Sequence, residues 1–100
     1  MTPPKLLLAS LGACAGYYAA ENLRTRSIPA DGLRIQVEAE KVSKPARLSA
    51  FRIRVEAPSA DGKHHDSLLR EVKHCLIHHT LLQPPIIEVV VETGAQIRAA

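Results

Sequence analysis

The sequence predicts an α+β domain spanning residues 1–100, with elements in the order α-β-β-α-β, one long buried helix and an antiparallel sheet. Three observations carry this. Residues 6–20 are apolar or small around almost the whole helical circumference. Residues 33–40 and 51–57 alternate apolar and polar side chains strictly. Residues 68–76 then place apolar side chains at helical spacing, ahead of a β-branched run at 86–92. Such segregated helices and antiparallel strands pack as a sheet with helices on one face.

The first helix is expected to open at Thr2, a plausible N-cap, with Pro3 where a missing N–H costs nothing. Leucine and alanine favour its interior. It should stop before Pro29, because the proline ring pushes Ile28 out of the α region. A helix apolar on all sides is buried on all sides, and a small domain has little with which to wrap one. Pro29, Ala30, Asp31 and Gly32 then supply turn chemistry. In the first strand Leu33, Ile35, Val37 and Ala39 face inward. A loop around Lys44, Pro45, Ala46 and Arg47 leads to the second strand, and so short a connection predicts an antiparallel pair. Arg34, Glu38, Arg52, Arg54 and Glu56 form its solvated face.

A second helix is expected near His65 or Asp66. Leu68, Leu69, Val72, Cys75 and Leu76 recur at its spacing, which puts Cys75 on the apolar face. Residues 76–82 continue it or form a second short helix, and Pro84 and Pro85 end it. Residues 86–92 read as the third strand, and residues 94–100 as a frayed tail.

The chain has 100 residues, 46% of them hydrophobic and only 3% aromatic, so its core must be aliphatic. A domain of this size buries only about 60–65% of its unfolded surface, and two cysteines provide no disulfide framework. Oligomerisation is the expected remedy. Net charge is +3 with scattered basic residues and no basic stripe interleaved with aromatics. This speaks against nucleic-acid binding. Residues 11–14, Leu-Gly-Ala-Cys, look like a bacterial lipobox behind a leucine-rich run. Cleavage there would discard half of the long helix, so the match is read as accidental. The 15 apolar or small residues 6–20 fall short of the roughly 20 needed to span a bilayer. No membrane partner is expected.

Two residues stand out chemically. Cys14 and Cys75 lie in apolar helical stretches 61 positions apart. Buried free cysteine is a common core residue, so pattern alone leaves both a packing role and a chemical one open. Around Cys14, Gly12, Ala13, Ala15 and Gly16 leave room for a small molecule or a partner helix to approach the sulfur. His74, Cys75, His78 and His79 are types that bind zinc. Four ligands within six residues of a helix cannot all converge, so no metal and no cofactor is expected.

The run Pro3-Pro4-Lys5-Leu6-Leu7-Leu8-Ala9-Ser10-Leu11-Gly12-Ala13-Cys14 resembles the P-x-E-L-L-x-A-x-x-x-x-C opening of the central helix in the OsmC/Ohr family, the osmotically inducible and organic hydroperoxide resistance proteins. Residues 72–81, Val-Lys-His-Cys-Leu-Ile-His-His-Thr-Leu, resemble the family's second cysteine segment. Spacing and element order fit as well, over roughly residues 3–93. The wording Leu-Leu-Leu-Ala-Ser-Leu-Gly-Ala-Cys is closer to the OsmC-like branch than to Ohr.

The resemblance implies an intertwined homodimer whose long central helices pack together, which would explain the all-round apolar helix. It implies a cytoplasmic thiol peroxidase in which Cys14 is peroxidatic and Cys75 resolving, acting on a small-molecule hydroperoxide with an external dithiol reductant. A catalytically inert OsmC-like dimer that binds a small apolar ligand or a partner is the alternative. The family's usual N-terminal β segment, with its arginine near the thiol, has no counterpart here. The glutamate ten residues before the peroxidatic cysteine is replaced by Pro4. A strand arginine would have to substitute as the cation, and slow turnover is expected.

Overall fold

The computed structural model describes residues 2–94 and 97–99. Helix α1 spans Pro3–Thr25. Thr2 holds the N-cap position with an extended backbone, and its carbonyl accepts from the Leu6 N–H at 3.0 Å, but its side chain makes no capping bond. Pro3 and Pro4 fill the first positions, where an N–H would lack an intrahelical acceptor. At the other end the helix stops before it reaches Pro29. The Ser27 N–H donates to the Arg24 carbonyl at 3.1 Å and the Ile28 N–H to the Leu23 carbonyl at 2.9 Å. This is a Schellman closure. Ser27 takes its left-handed position with φ 55°, where glycine is the usual residue.

Strands β1 (Arg34–Ser43) and β2 (Ala46–Glu56) pair antiparallel. Their register shows why the alternation matters. Ile35 lies opposite Val55, Val37 opposite Ile53 and Ala39 opposite Phe51 on the inner face. Outside, the register sets Arg34 across from Glu56 and Glu38 across from Arg52, so opposite charges occupy facing positions. Both strands run further than the alternation predicts. A bulge between Glu40 and Lys41 shifts the register, and pairing continues to Ser43 and Ala46. The expected four-residue loop thereby shrinks to Lys44-Pro45, joined by a cis peptide bond.

A single 3-10 turn, Gly62–His64, is capped by the Asp61 carboxylate, which accepts from the Lys63 N–H at 3.1 Å. It leads into α2, His65–Val72, and α3 spans Leu76–Leu82. Cys75 is therefore not on the apolar face of a continuous helix. It lies at the break between two helices, as the residue before α3.

The third strand is shorter than residues 86–92. Pro84 and Pro85 carry no N–H for a ladder, and β3 begins only at Val90, spanning Val90–Glu92. It does not join β1 and β2. It pairs antiparallel with β4, Ile97–Ala99, so part of the expected frayed tail is a strand. Residues 95, 96 and 100 of that tail lie outside the described residues.

Helix α1 lies against β1, β2, α2 and α3. Its Gly12 and Gly16 face β1: a Cβ added at Gly12 would sit 3.1 Å from Val37 Cγ2. Leu11, Ala15, Ala19, Asn22 and Leu23 form its buried stripe, and Ala15 and Ala19 join Val72 in a cluster against Leu33, Ile35, Ile53, Val55 and Leu68. The chain's own elements leave the other side of the helix open. Leu6 is 56% and Tyr17 62% exposed. The expectation of burial on every side is not met within one chain.

Candidate functional site

Cys14 lies in the interior of α1, two residues from Gly12 and two from Gly16, and so on the helix side away from β1. There it meets Cys75. The two form a disulfide with Cα atoms 5.8 Å apart, inside the usual range for such a bond. Local backbone geometry delivers Cys75 to this place. The last turn of α2 tightens: the His74 N–H donates to the Glu71 carbonyl at 3.1 Å and the Cys75 N–H to the Val72 carbonyl at 3.2 Å. Cys75 then extends, with φ −57° and ψ 131°, before its carbonyl starts α3 by accepting from the His79 N–H at 3.0 Å. Cys75 is fully buried, at 0% exposure, whereas Cys14 keeps partial exposure.

A groove of about 840 Å³ runs between β2 and the helices α2 and α3; neither cysteine lines it. Its wall includes Leu11, three residues before Cys14, and Val72, three before Cys75. Phe51, Leu68 and Leu81 add apolar surface, and Arg54, Lys73, His65 and His78 bring cationic or ionisable groups. Arg54 is thus a strand arginine at the groove. Elsewhere on α1, Arg24 donates to both oxygens of Glu21, at 3.1 and 2.9 Å. That hydrogen bonding and the Arg24 charge hold the Glu21 carboxyl below its ordinary value of 4.5 and raise the Arg24 guanidinium in turn.

The histidines of the second cysteine segment disperse. His74 is 3.9 Å from Glu71, His78 and His79 set their rings edge to face, and Cys75 is taken by Cys14. Among the described residues no three His, Cys, Asp or Glu side chains are grouped to hold a metal ion. Among them, too, no helix is long and apolar enough to cross a membrane.

One pair was not singled out in the sequence. Asn22, 3% exposed, donates from Nδ2 to Ser67 Oγ on α2 at 3.0 Å, while its Oδ1 has no hydrogen-bond partner among the described residues. The available signal was a polar residue at position 22, where the helical spacing of Leu11, Ala15 and Ala19 continues.

The family model for OsmC-like protein matches residues 1–90, a span that holds both cysteines and the groove. No curated protein matches the sequence. Among solved structures, an OsmC-like hydroperoxide resistance protein from Jannaschia sp. CCS1 is similar in fold. It has a TM-score of 0.74 and 19% identity, over 100% of this chain and 72% of that one. The matched span, the long central helix backed by an antiparallel hairpin and the shared fold lead to one assignment: the chain belongs to the OsmC-like family.

Proposed function

We propose that the protein is a cysteine-based peroxidase that reduces organic hydroperoxides, with Cys14 the peroxidatic and Cys75 the resolving residue. The observation that carries this reading is the disulfide between two cysteines far apart in sequence, on segments that also give Leu11 and Val72 to an apolar groove with a basic border. Membership of a family with hydroperoxide resistance proteins supports the substrate class. The partial exposure of Cys14 and the complete burial of Cys75 support the division of roles.

In the first step the Cys14 thiolate attacks the outer oxygen of the hydroperoxide. The O–O bond breaks, an alcohol leaves after protonation, and Cys14 becomes a sulfenic acid. The Cys75 sulfur then attacks the Cys14 sulfur, and the sulfenic oxygen departs as water. An external dithiol reduces the disulfide by exchange and leaves oxidised. Apolar groove walls suit the carbon skeleton of an organic substrate. Arg54 is a strand arginine on the groove wall, and in this reading a cation brought close to Cys14 favours its thiolate.

The working unit in this reading is a homodimer. Two apolar surfaces support it. One is the open side of α1, with Leu6 and Tyr17; the other is the segment before β3, where Ile86 is 100% and Ile87 78% exposed. Among the described residues the backbones of β3 and β4 lie close to each other and to no other helix or strand. The radius of gyration is 17.9 Å, against about 13 Å for a compact 100-residue domain. A second copy would cover these surfaces.

Peroxide consumption with a dithiol reductant, measured for the full chain and for Cys14→Ser, tests the proposal. Turnover by the wild type that disappears in C14S is the expected result. Equal consumption by both would refute it. No consumption by either, with binding of an apolar ligand, would leave an inert binding dimer.

A further inference from the structure

The hydrogen bond between Asn22 and Ser67 has a definite relation to the disulfide. Asn22 stands eight residues after Cys14 on α1, and Ser67 eight residues before Cys75. The two helices are therefore tied antiparallel in one register, by a covalent bond at one end and a buried hydrogen bond at the other. Eight residues of helix separate the ties by about 12 Å.

Packing alone would favour an apolar residue at position 22. Asn22 is buried beside Ala19 and Leu23, and only one of its two side-chain polar atoms is partnered among the described residues. Burying an amide in this way costs stability. What Asn22 gains is a directional contact that only one register of α2 can satisfy, a use for which buried polar side chains are well attested. Helix α2 has just eight residues, too few to hold shape unaided. It packs through Val72 and Leu68, and such aliphatic contacts tolerate sliding. Once the disulfide is reduced, Asn22–Ser67 is, among the described residues, the side-chain hydrogen bond between α1 and α2 that keeps the segment carrying Cys75 in register over Cys14.

We propose that Asn22 and Ser67 are positioning residues for closure of the Cys14–Cys75 disulfide: they keep the effective concentration of the Cys75 thiol at Cys14 high in the reduced protein. The inference rests on the two-cysteine reading above. The coupling is reciprocal. If the disulfide restrains α2 and so favours the hydrogen bond, the hydrogen bond favours the disulfide by the same factor.

The test is a thiol–disulfide equilibrium on the full chain, with no peroxide present. Wild type, Ser67→Ala, Ser67→Thr and Asn22→Ala are equilibrated in mixtures of reduced and oxidised dithiothreitol. Free thiols are then alkylated and the Cys14–Cys75 state is read by mass. Two electrons and two protons pass between the protein dithiol and the oxidised reagent. S67A and N22A should favour the dithiol by about tenfold, a potential about 30 mV less negative. S67T keeps the hydroxyl and should restore the wild-type value, and S67A in the N22A background should add nothing further. Ser67 is only half-buried, so S67A carries the test if N22A does not fold. An unchanged potential, with oxidised and reduced forms losing equal stability to urea, would show a merely structural bond and overturn the proposal. A shifted potential in a protein that consumes no peroxide would uphold the positioning role and reject the peroxidase. Absence of any Cys14–Cys75 disulfide in wild type would remove both.

Discussion

Opening the Cys14–Cys75 bond should cost the protein much of its stability. The crosslink closes a loop with a sequence separation of 61 residues. In the chain-entropy treatment, such a loop restricts the unfolded ensemble by about 4 kcal/mol at 25 °C. Residual structure in the unfolded chain lowers that figure, so it is an upper value. A domain of this size loses roughly 2 kcal/mol of stability per molar urea. The oxidised protein should therefore unfold about 2 M urea later than the reduced one. Circular dichroism at one fixed protein concentration measures both, since association would make the midpoint concentration-dependent. Cys14→Ser and Cys75→Ala should each unfold near the reduced wild type, because either removes the same crosslink. Coincident midpoints for oxidised and reduced protein, with alkylation confirming the redox states, would refute the claim that the native fold carries this bond.

Three further outcomes follow from other parts of the fold. Gly16→Ala should stabilise the protein by about 0.5–1 kcal/mol: an added Cβ meets Ile35 Cγ1 at 3.4 Å, an ordinary contact, and alanine favours the helix interior, as urea unfolding would register. Ser27→Gly should also stabilise, by roughly 0.5–1 kcal/mol, because it removes the cost of a side chain in the left-handed closure of α1; a lower urea midpoint would contradict that account. Sedimentation should find a dimer at micromolar concentration, with a pairing that buries more than about 2,000 Å² in total, and a stable folded monomer would reject the proposed assembly.

The elements most legible in the sequence were those whose side-chain pattern matches their own backbone period. The alternation through Ile35, Val37, Ile53 and Val55 placed the hairpin and its inner face correctly. Pro3 and Pro4 marked the start of α1, and Pro84 and Pro85 the end of the last helix. What escaped was decided by contacts between distant residues. Leu68, Val72 and Cys75 fit one continuous helix by spacing, yet the chain breaks after Val72 and brings Cys75 across to Cys14. A serine gave no sign of the left-handed turn at Ser27, since glycine is the usual marker. The pairing of β3 with β4 depended on prolines that delay the ladder and on partners too short to show a period. At the site, the roles of both cysteines came from the family resemblance, because neither spacing nor composition decides that two sulfurs so far apart in sequence meet. Asn22 was visible only as a polar exception, and its partner lies 45 residues away.

The central claim is that Cys14 and Cys75 form a working redox pair. It is tested most directly by adding one equivalent of an organic hydroperoxide to the fully reduced protein and analysing the product by mass. The account predicts a loss of two hydrogens and a crosslinked peptide joining Cys14 to Cys75, with C14S unreactive. A Cys14 that remains a free thiol under excess hydroperoxide would contradict it.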